Sequence, residues 1–215
     1  MSTRFERTHG KISKLQYMSK DRAEWMRAFI DKIDASAILE VGFFKGKSSA
    51  YFASILEDRG NGHLLTIDKK HALKYQPNIL QVLKDVGLEH RVTPVFADRS
   101  HTWELAQLIK QSPRPQFDLC YFDGGHTWDV TGFGFVLVNM LLKPGGWIVF
   151  DDLDWTIEGS LRAAPHRAAA YEGYGEDEMR SPGVRMVYEL LVPEFGYQNM
   201  DIVDEFGWGV AQKPA

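Results

Sequence analysis

The chain has 215 residues, a length that suits one domain with a full-sized hydrophobic core. Its formal net charge is −4, with 44% hydrophobic and 25% charged residues, which is typical of a globular protein and disfavours a nucleic-acid partner. No apolar run reaches the ~18 residues of a membrane span, and the first residues lack the apolar segment of a secretory signal. We therefore expect a cytoplasmic protein with no membrane or nucleic-acid partner. The single cysteine, Cys120, is expected to be a buried core residue.

Helical and extended patterns alternate along the chain. Helical periodicity predicts a first helix over 18–33, with Trp25, Phe29 and Ile33 on one face. The elements predicted after it are a strand at 37–43, a helix at 47–60, a strand at 63–68, a helix at 75–88, a strand at 91–97, a helix at 100–111 with Ser100 as N-cap, a strand at 117–122, a helix at 127–142 and a strand at 145–152. Such alternation predicts right-handed βαβ crossovers and a parallel sheet.

The rhythm changes towards the C-terminus. A helix is predicted at 183–191, and then strands at 197–203 and 208–213 are separated only by "DEFG", which predicts an antiparallel hairpin. We expect one domain over 1–215, an α/β, doubly wound, Rossmann-like fold. Its sheet should be mostly parallel and seven-stranded, with one antiparallel strand near the C-terminus. Residues 1–34 should form an N-terminal helical segment, and the polar stretch 153–182 a lid or acceptor-side insertion.

A glycine-containing turn joins the first strand to its helix in "LEVGFFKGKSS". Gly42 and Gly46 allow a tight turn and close approach of a ligand to the backbone. The helix that follows offers unpaired N–H groups to a carboxylate or phosphate, and Ser48 could add a hydroxyl. The dinucleotide pattern GxGxxG is absent, because Phe43 and Phe44 stand where its second glycine would come. A nicotinamide cofactor is therefore disfavoured.

Two acids end the next two strands. Asp68 stands where a carboxylate can accept hydrogen bonds from both hydroxyls of a ribose. Asp98, in "FADRS", is placed to meet an adenine amino group. Either acid alone could simply mark the end of a strand. Together with the glycine turn, they indicate an adenosine ligand that carries a carboxylate rather than a diphosphate.

Three further acids and a histidine follow the fourth and fifth strands. Asp123 follows one strand, and Asp151 and Asp152 follow the other, so their carboxylates should converge at one edge of the sheet. Clustered carboxylates repel one another unless a cation intervenes, and an all-oxygen set suits Mg²⁺ or Mn²⁺. His126, three residues after Asp123, is a candidate general base. The alternative is that these polar residues only terminate strands.

The chain resembles the class I S-adenosylmethionine-dependent methyltransferases. The resemblance rests on "ILEVGFFKGKSS", on Asp68 after "LLTI", on "FDLCYFDGGH" and on "LLKPGGWIVFDD". It implies S-adenosyl-L-methionine as cofactor, bordered by Asp123. The further roles it implies are Glu40 near the methionine amino group, Gly42 and Gly46 in the turn, Ser48 at the carboxylate, Asp68 at the ribose and Asp98 on the adenine side.

Within that group the acid cluster resembles the metal-dependent O-methyltransferases of the catechol and caffeoyl-CoA type. Those enzymes usually carry lysine where this chain has His126, and the D-G-x-H form is closer to bacterial sugar and macrolide O-methyltransferases and to cephalosporin-hydroxylase-like proteins. The resemblance implies Asp123, Asp151 and Asp152 as ligands of Mg²⁺ or Mn²⁺, and His126 as the base or as a further ligand. We expect O-methylation of a hydroxylated small molecule.

Several alternatives stay open from the sequence. The chain could be an S-adenosylmethionine-binding module without methyl transfer, or, with less support, a nicotinamide-dependent oxidoreductase. A homo-oligomer is compatible with the sequence. Trp128 and Trp155 could line an acceptor pocket or belong to the core, and Asp154 is expected to be solvated. His71, His101 and His166 lack partners at a catalytic spacing and are not expected to act in catalysis.

Overall fold

The computed structural model describes residues 2–215. The helices are α1 (Arg4–Ile12), α2 (Lys20–Lys32), α3 (Lys47–Asp58), α4 (Ile79–Val86), α5 (His101–Ile109), α6 (Trp128–Leu141), α7 (Ile157–Ala163), α8 (Glu176–Arg180) and α9 (Gly183–Met186), which continues as a π-helix over Val187–Leu191. The strands are β1 (Ala37–Val41), β2 (His63–Lys69), β3 (Val92–Ala97), β4 (Phe117–Phe122), β5 (Leu142–Phe150), β6 (Gln198–Val203) and β7 (Trp208–Gln212). Every element predicted from the sequence is present, and Ser100 caps α5 as expected.

The strands form one seven-stranded sheet in the order β3-β2-β1-β4-β5-β7-β6. β1 pairs in parallel with both β2 and β4, and β4 pairs in parallel with β5. β7 is antiparallel to both of its neighbours, β5 and β6. The predicted fold class is therefore confirmed. The order of the strands reverses between β1 and β4, and ligands of such sheets bind at the carboxyl ends of the strands beside this reversal.

The core lies on both faces of the sheet. Alternate residues of β1 enter opposite faces, with Ile38 packed among the residues of α1 to α4, and Leu39 among those of α5, α6 and α9. Cys120 is fully buried, as predicted. Because Glu40 shares the face of Ile38, its carboxylate is buried under α3.

Among residues 2–215, no helix is both long and apolar enough to cross a membrane.

Two segments flank the carboxyl edge of the sheet. The N-terminal helices α1 and α2 are capped by Thr3 and Ser19, and the link between them is fixed by Lys47, whose Nζ donates to the carbonyls of Leu15 at 2.6 Å and Tyr17 at 3.0 Å. After β5 comes a largely exposed insertion made of α7, a short 3₁₀ helix over Pro165–Tyr171 and α8.

Candidate functional site

The turn between β1 and α3 is pressed against the end of β4. Gly42 has φ +93°, and a Cβ atom there would lie 2.1 Å from the carbonyl oxygen of Asp123. Gly46 has φ +86°, and a Cβ there would meet the Ile79 side chain at 2.6 Å. Only glycine combines this conformation with this approach. The two glycines therefore bring the start of α3 next to the residues that follow β4.

A cavity of about 540 Å³ opens at this edge of the sheet. The glycine turn, Ser48, Asp68 and the ends of β4 and β5 line it, together with Arg22 from α2. Helix α3 begins here at Gly46 without a side-chain cap, so its first N–H groups are available to an anion. The cavity thus combines a helix N-terminus and cationic side chains, which suit a ligand carboxylate, with carboxylates, which suit ligand amino and hydroxyl groups.

Asp68 both lines the cavity and fixes the shape of the turn. One carboxylate oxygen accepts hydrogen bonds from the backbone N–H groups of Phe43 at 3.0 Å and Phe44 at 2.6 Å. The other accepts from the N–H of Lys69 at 2.6 Å. These bonds hold Phe44 at φ +49°, a conformation that is uncommon outside glycine. Its sequence-predicted role at a ribose stays a prediction.

Two other sequence-predicted cofactor residues do not line the cavity. Glu40 is fully buried, where one carboxylate oxygen accepts from the hydroxyls of Ser49 and Thr66, the latter at 2.5 Å, and the other oxygen has no partner. Burial raises the pKa of Glu40 to about 7, although these hydroxyl donors act against the rise. Asp98 is 89% exposed and lies 3.5 Å from the Lys70 ammonium, outside the cavity.

Asp123, His126 and Asp152 come together at the wall of the cavity. The Nε2 atom of His126 lies 3.4 Å from an Asp123 oxygen and 3.3 Å from an Asp152 oxygen, and one donor atom from each residue lies within 4.8 Å of the others. Nε2 is buried and makes no well-aligned hydrogen bond. The fourth and fifth strands therefore deliver two carboxylates and an imidazole to one point.

The charges of these three groups depend strongly on one another. Burial raises the pKa of Asp123 to about 7. Burial acts against the charged form of His126, but the two carboxylates outweigh it and raise the pKa of His126 to about 9. The imidazole in turn lowers the pKa of Asp152. In the absence of a metal cation, a proton on His126 offsets the negative charge of the two carboxylates. The space between the three side chains therefore favours a positive charge.

Asp151 lies outside this group of donors, and its predicted place among the metal ligands stays a prediction. One of its oxygens accepts from Trp208 Nε1 at 2.8 Å and from the N–H of Asp152 at 2.7 Å, and lies 3.5 Å from Arg22 Nη1. The other accepts from the Tyr121 hydroxyl. Both carboxylate oxygens are thus occupied by donors of the protein.

The aromatic and acidic residues after β5 have distinct places. Trp155 packs against His126, with ring centroids 5.1 Å apart, and lies at the surface of the cavity rather than in the core. Trp128 is 38% exposed, also outside the core. Asp154 is exposed at the surface, and Arg185 donates to both of its oxygens, at 2.6 and 2.9 Å.

Comparison with known proteins was made on the whole chain. The sequence matches the family model of a methyltransferase domain over residues 39–153, which is more than half of the chain. The chain belongs to this methyltransferase family. Comparison with curated proteins gives no match. The matched residues run from β1 to the loop after β5 and include the glycine turn and all three members of the donor group.

Two of the solved structures with the fold of this methyltransferase are O-methyltransferases. One from Bacillus cereus in complex with S-adenosylhomocysteine is 17% identical, with TM-score 0.67 over 99% of this chain and 92% of that one. TomG from Streptomyces achromogenes, involved in tomaymycin synthesis and solved with S-adenosylmethionine, is 19% identical, with TM-score 0.66 over 100% and 91%.

A third similar structure is MycE of the mycinamycin biosynthetic pathway, in complex with Mg, S-adenosylhomocysteine and mycinamycin VI. It is 15% identical, with TM-score 0.60, and the match covers 99% of this chain but 55% of that one. At such identities the structures establish the fold. The predicted class I methyltransferase family and its fold are confirmed, and a nicotinamide oxidoreductase loses its support.

The residues of the methyltransferase fit both groups that the fold implies. For S-adenosylmethionine, the fit lies in the uncapped start of α3 and in the Asp68 carboxylate, both at the wall of the cavity. For a divalent cation, it lies in two carboxylates and a buried imidazole nitrogen without a hydrogen-bond partner. Sequence reasoning missed Arg22, Tyr121 and Trp208, which carry no motif and reach the site only through the fold.

Proposed function

We propose that the protein transfers a methyl group from S-adenosylmethionine to a hydroxyl of a small molecule, with the help of Mg²⁺ or Mn²⁺. The observation that carries the proposal is the convergence of Asp123, His126 and Asp152 on the wall of the cavity beside the glycine turn. It is supported by the TomG structure with S-adenosylmethionine and by the MycE structure with Mg, S-adenosylhomocysteine and mycinamycin VI.

The glycine turn and its neighbours are proposed to hold the cofactor. Ser48 and the first N–H groups of α3 bind the methionine carboxylate, and Asp68 receives the ribose hydroxyls. Glu40 lies near the methionine amino group, towards which it offers the carboxylate oxygen that has no partner. Asp98 would need its exposed side chain to turn towards the adenine. When bound, S-adenosylmethionine supplies a sulfonium methyl group, whose S–C bond breaks as the C–O bond forms and S-adenosylhomocysteine leaves.

The donor group is proposed to prepare the hydroxyl. Asp123 and Asp152 hold the cation, whose positive charge lowers the pKa of the substrate hydroxyl. His126 Nε2 accepts the hydroxyl proton, because it lies beside both carboxylates and makes no other hydrogen bond. Trp155, packed on the imidazole, helps to exclude water from the reacting atoms. The remaining contribution of the protein is orientation of the hydroxyl towards the methyl group.

The flanking segments are proposed to complete the site. Residues 1–34 contribute Arg22 and the link between α1 and α2 to the cavity wall, and residues 153–182 contribute Trp155, Arg167 and Tyr171. Both belong to the single domain proposed for 1–215. The competing interpretation, a binding module without methyl transfer, requires the same cofactor cavity and leaves the donor group without a role.

Asp123→Asn tests the proposal. Calorimetry should show S-adenosylmethionine binding within a few-fold of wild type, because the cofactor is held mainly by the glycine turn. Mn²⁺ affinity and metal-dependent methyl transfer to a panel of hydroxylated acceptors should fall by roughly a hundredfold or more, as expected for loss of a charged ligand. The matched control is Asp154→Asn, which removes an exposed acid outside the cavity.

Two results would contradict the proposal. Full activity of the wild type in the presence of a chelator would show that the reaction needs no metal. Cofactor binding without turnover on any acceptor would favour the binding module. His126→Ala separates the base from a ligand, because loss of kcat with unchanged Mn²⁺ affinity identifies the base. Loss of both identifies His126 as a third ligand.

A further inference from the structure

A second cavity of about 270 Å³ adjoins the cofactor cavity at His126 and Trp155. It is enclosed by the start of α6, the loop after β5, the helix α8 and the start of α9. His126 and Trp155 line both this side pocket and the cofactor cavity. A molecule in the side pocket therefore reaches the donor group at His126.

The walls of the side pocket are mainly apolar and aromatic. Trp128, Trp155, Ile157 and Met186 contribute side chains. Gly183 closes one wall, since a Cβ there would lie 2.7 Å from the carbonyl oxygen of His126. The volume is slightly below the range of ~300–1,000 Å³ common for small-molecule sites, so the pocket suits one ring-sized part of a ligand.

The charged side chains of the side pocket are acidic. Asp177 and Glu178, both on α8 and both exposed, belong to its lining, which contains no lysine or arginine. Neighbouring acids are neutralised, since Glu158 pairs with Arg162 at 2.8 Å and Glu176 pairs with Arg180 at 3.3 Å. Within the described part of the chain, the carboxylates of Asp177 and Glu178 form no ion pair. Their negative charge is left for a ligand.

We propose that the side pocket binds the methyl acceptor, and that the acceptor carries an apolar ring and a protonated amine. This inference rests on the proposed function, because it places the acceptor hydroxyl at Asp123, His126 and Asp152. The ring lies against Trp128 and Trp155, whose aromatic faces also attract cations. The amine lies towards Asp177 and Glu178. Neutral and anionic acceptors of the same shape are selected against.

Three phenols of similar size test the proposal by their charge. Tyramine is cationic, 4-ethylphenol is neutral and 3-(4-hydroxyphenyl)propionate is anionic. Calorimetry with S-adenosylhomocysteine and Mg²⁺ present measures their binding without turnover. We expect tyramine to bind about fivefold or more tightly than 4-ethylphenol, and the propionate to bind most weakly. The preference should diminish as salt is added, since the two carboxylates are exposed.

The double variant Asp177→Asn/Glu178→Gln isolates the acidic side chains. It should bring tyramine and 4-ethylphenol to within about twofold of each other, with binding of 4-ethylphenol unchanged. The matched control is Glu172→Gln, which removes an exposed acid of the same insertion that lines neither cavity. This control should keep the wild-type preference.

The results separate this inference from the proposed function. Absence of binding by all three phenols at millimolar concentration, equal binding of the three, or a preference that survives in the double variant would overturn the side pocket as an amine site. A tyramine preference that disappears in the double variant supports it, even if no methyl transfer is found. Metal-dependent methyl transfer that is indifferent to acceptor charge would leave the function standing and overturn the inference.

Discussion

Two neighbouring aspartates at the end of β5 have opposite surroundings. Asp151 is 5% exposed and saturated by donors from Tyr121, Trp208 and Arg22, whereas Asp152, at φ +57°, turns its carboxylate to His126. The same residue type therefore serves the fold at one position and the candidate metal centre at the next. Asp151 holds the backbone of Asp152 through the hydrogen bond to its N–H group.

Substitution of each aspartate by asparagine should separate these roles. Asp151→Asn should lower the free energy of unfolding by about 2 kcal/mol, because a buried carboxylate loses charged hydrogen bonds. Its Mn²⁺ affinity should stay within about threefold of wild type. Asp152→Asn should cost little stability but lower Mn²⁺ affinity tenfold or more, as loss of a charged ligand does. Urea unfolding and Mn²⁺ titration measure the two effects.

An equal loss of Mn²⁺ affinity in both variants would return Asp151 to the ligand set that the sequence predicted. Asp154→Asn again serves as the control, since its carboxylate is engaged by Arg185 at the surface.

His101 should make stability dependent on pH. It is 8% exposed, its Nε2 has no partner, and burial lowers its pKa from 6.5 to about 4. Between these values the unfolded chain binds more protons than the folded chain, so the free energy of unfolding decreases as pH falls. From about pH 7 to about pH 5, the wild type should lose about 2 kcal/mol more than His101→Gln.

Denaturant unfolding at the two pH values measures this difference. The exposed His71 supplies a matched variant, His71→Gln, which removes an imidazole from the surface instead of the core. Identical slopes for the wild type and His101→Gln would contradict the assignment.

The candidate site was only partly readable from its residues. Gly42, Gly46, Asp123 and His126 could be found because local sequence fixes a turn or the end of a strand. The partners of Asp151 could not, because Tyr121, Trp208 and Arg22 come from three other elements, and Arg22 lies 129 positions from Asp151 in the chain. The spacing of a motif places an acidic residue at an edge of the sheet. The hydrogen-bond donors around it, which come from distant parts of the chain, decide where its carboxylate oxygens point.

At the scale of elements, the turn between β1 and α3 depends on the absence of a side chain at Gly42. Gly42→Ala should lower the free energy of unfolding by more than ~3 kcal/mol, because the conformation at φ +93° is strained for alanine and the Cβ meets the Asp123 carbonyl. Binding of S-adenosylhomocysteine should be lost with it. Urea unfolding and calorimetry provide the measurements.

Gly10 supplies a matched control for the same substitution. It lies inside α1 with no atom within 4 Å of the position of a Cβ. Gly10→Ala should therefore raise stability by ~0.5–1 kcal/mol through helix propensity. If Gly42→Ala proved as stable as the wild type, the close approach of the turn to β4 would be wrong.

The short helices of the insertion after β5 could not be predicted from the sequence. Its polar composition marks 153–182 as an interruption of the alternating pattern, but α7 and α8 are too short for periodicity to reveal them. Their placement beside Trp155 and His126 depends on contacts made across the carboxyl edge of the sheet. The side pocket and its two unpaired acids could therefore not be located from sequence.

For the whole molecule, the sequence predicted the fold nearly completely. Alternating buried strands and amphipathic helices leave few topologies open, since parallel strands need right-handed crossovers, and "DEFG" is too short for one. The reversed strand followed from that length alone. Its place in the sheet, between β5 and β6, could be seen only in the structure.

The inner position of β7 in the sheet affects the order in which the parts of the molecule can fold during synthesis. A ribosome delivers β5 long before β7, so a nascent chain carries an open hydrogen-bonding edge beside the donor group. Trp208, on β7, donates to Asp151, which fixes the backbone of Asp152. The candidate metal ligand Asp152 is therefore held in place only after the final hairpin has docked, so a partly synthesised chain has an incomplete candidate catalytic centre.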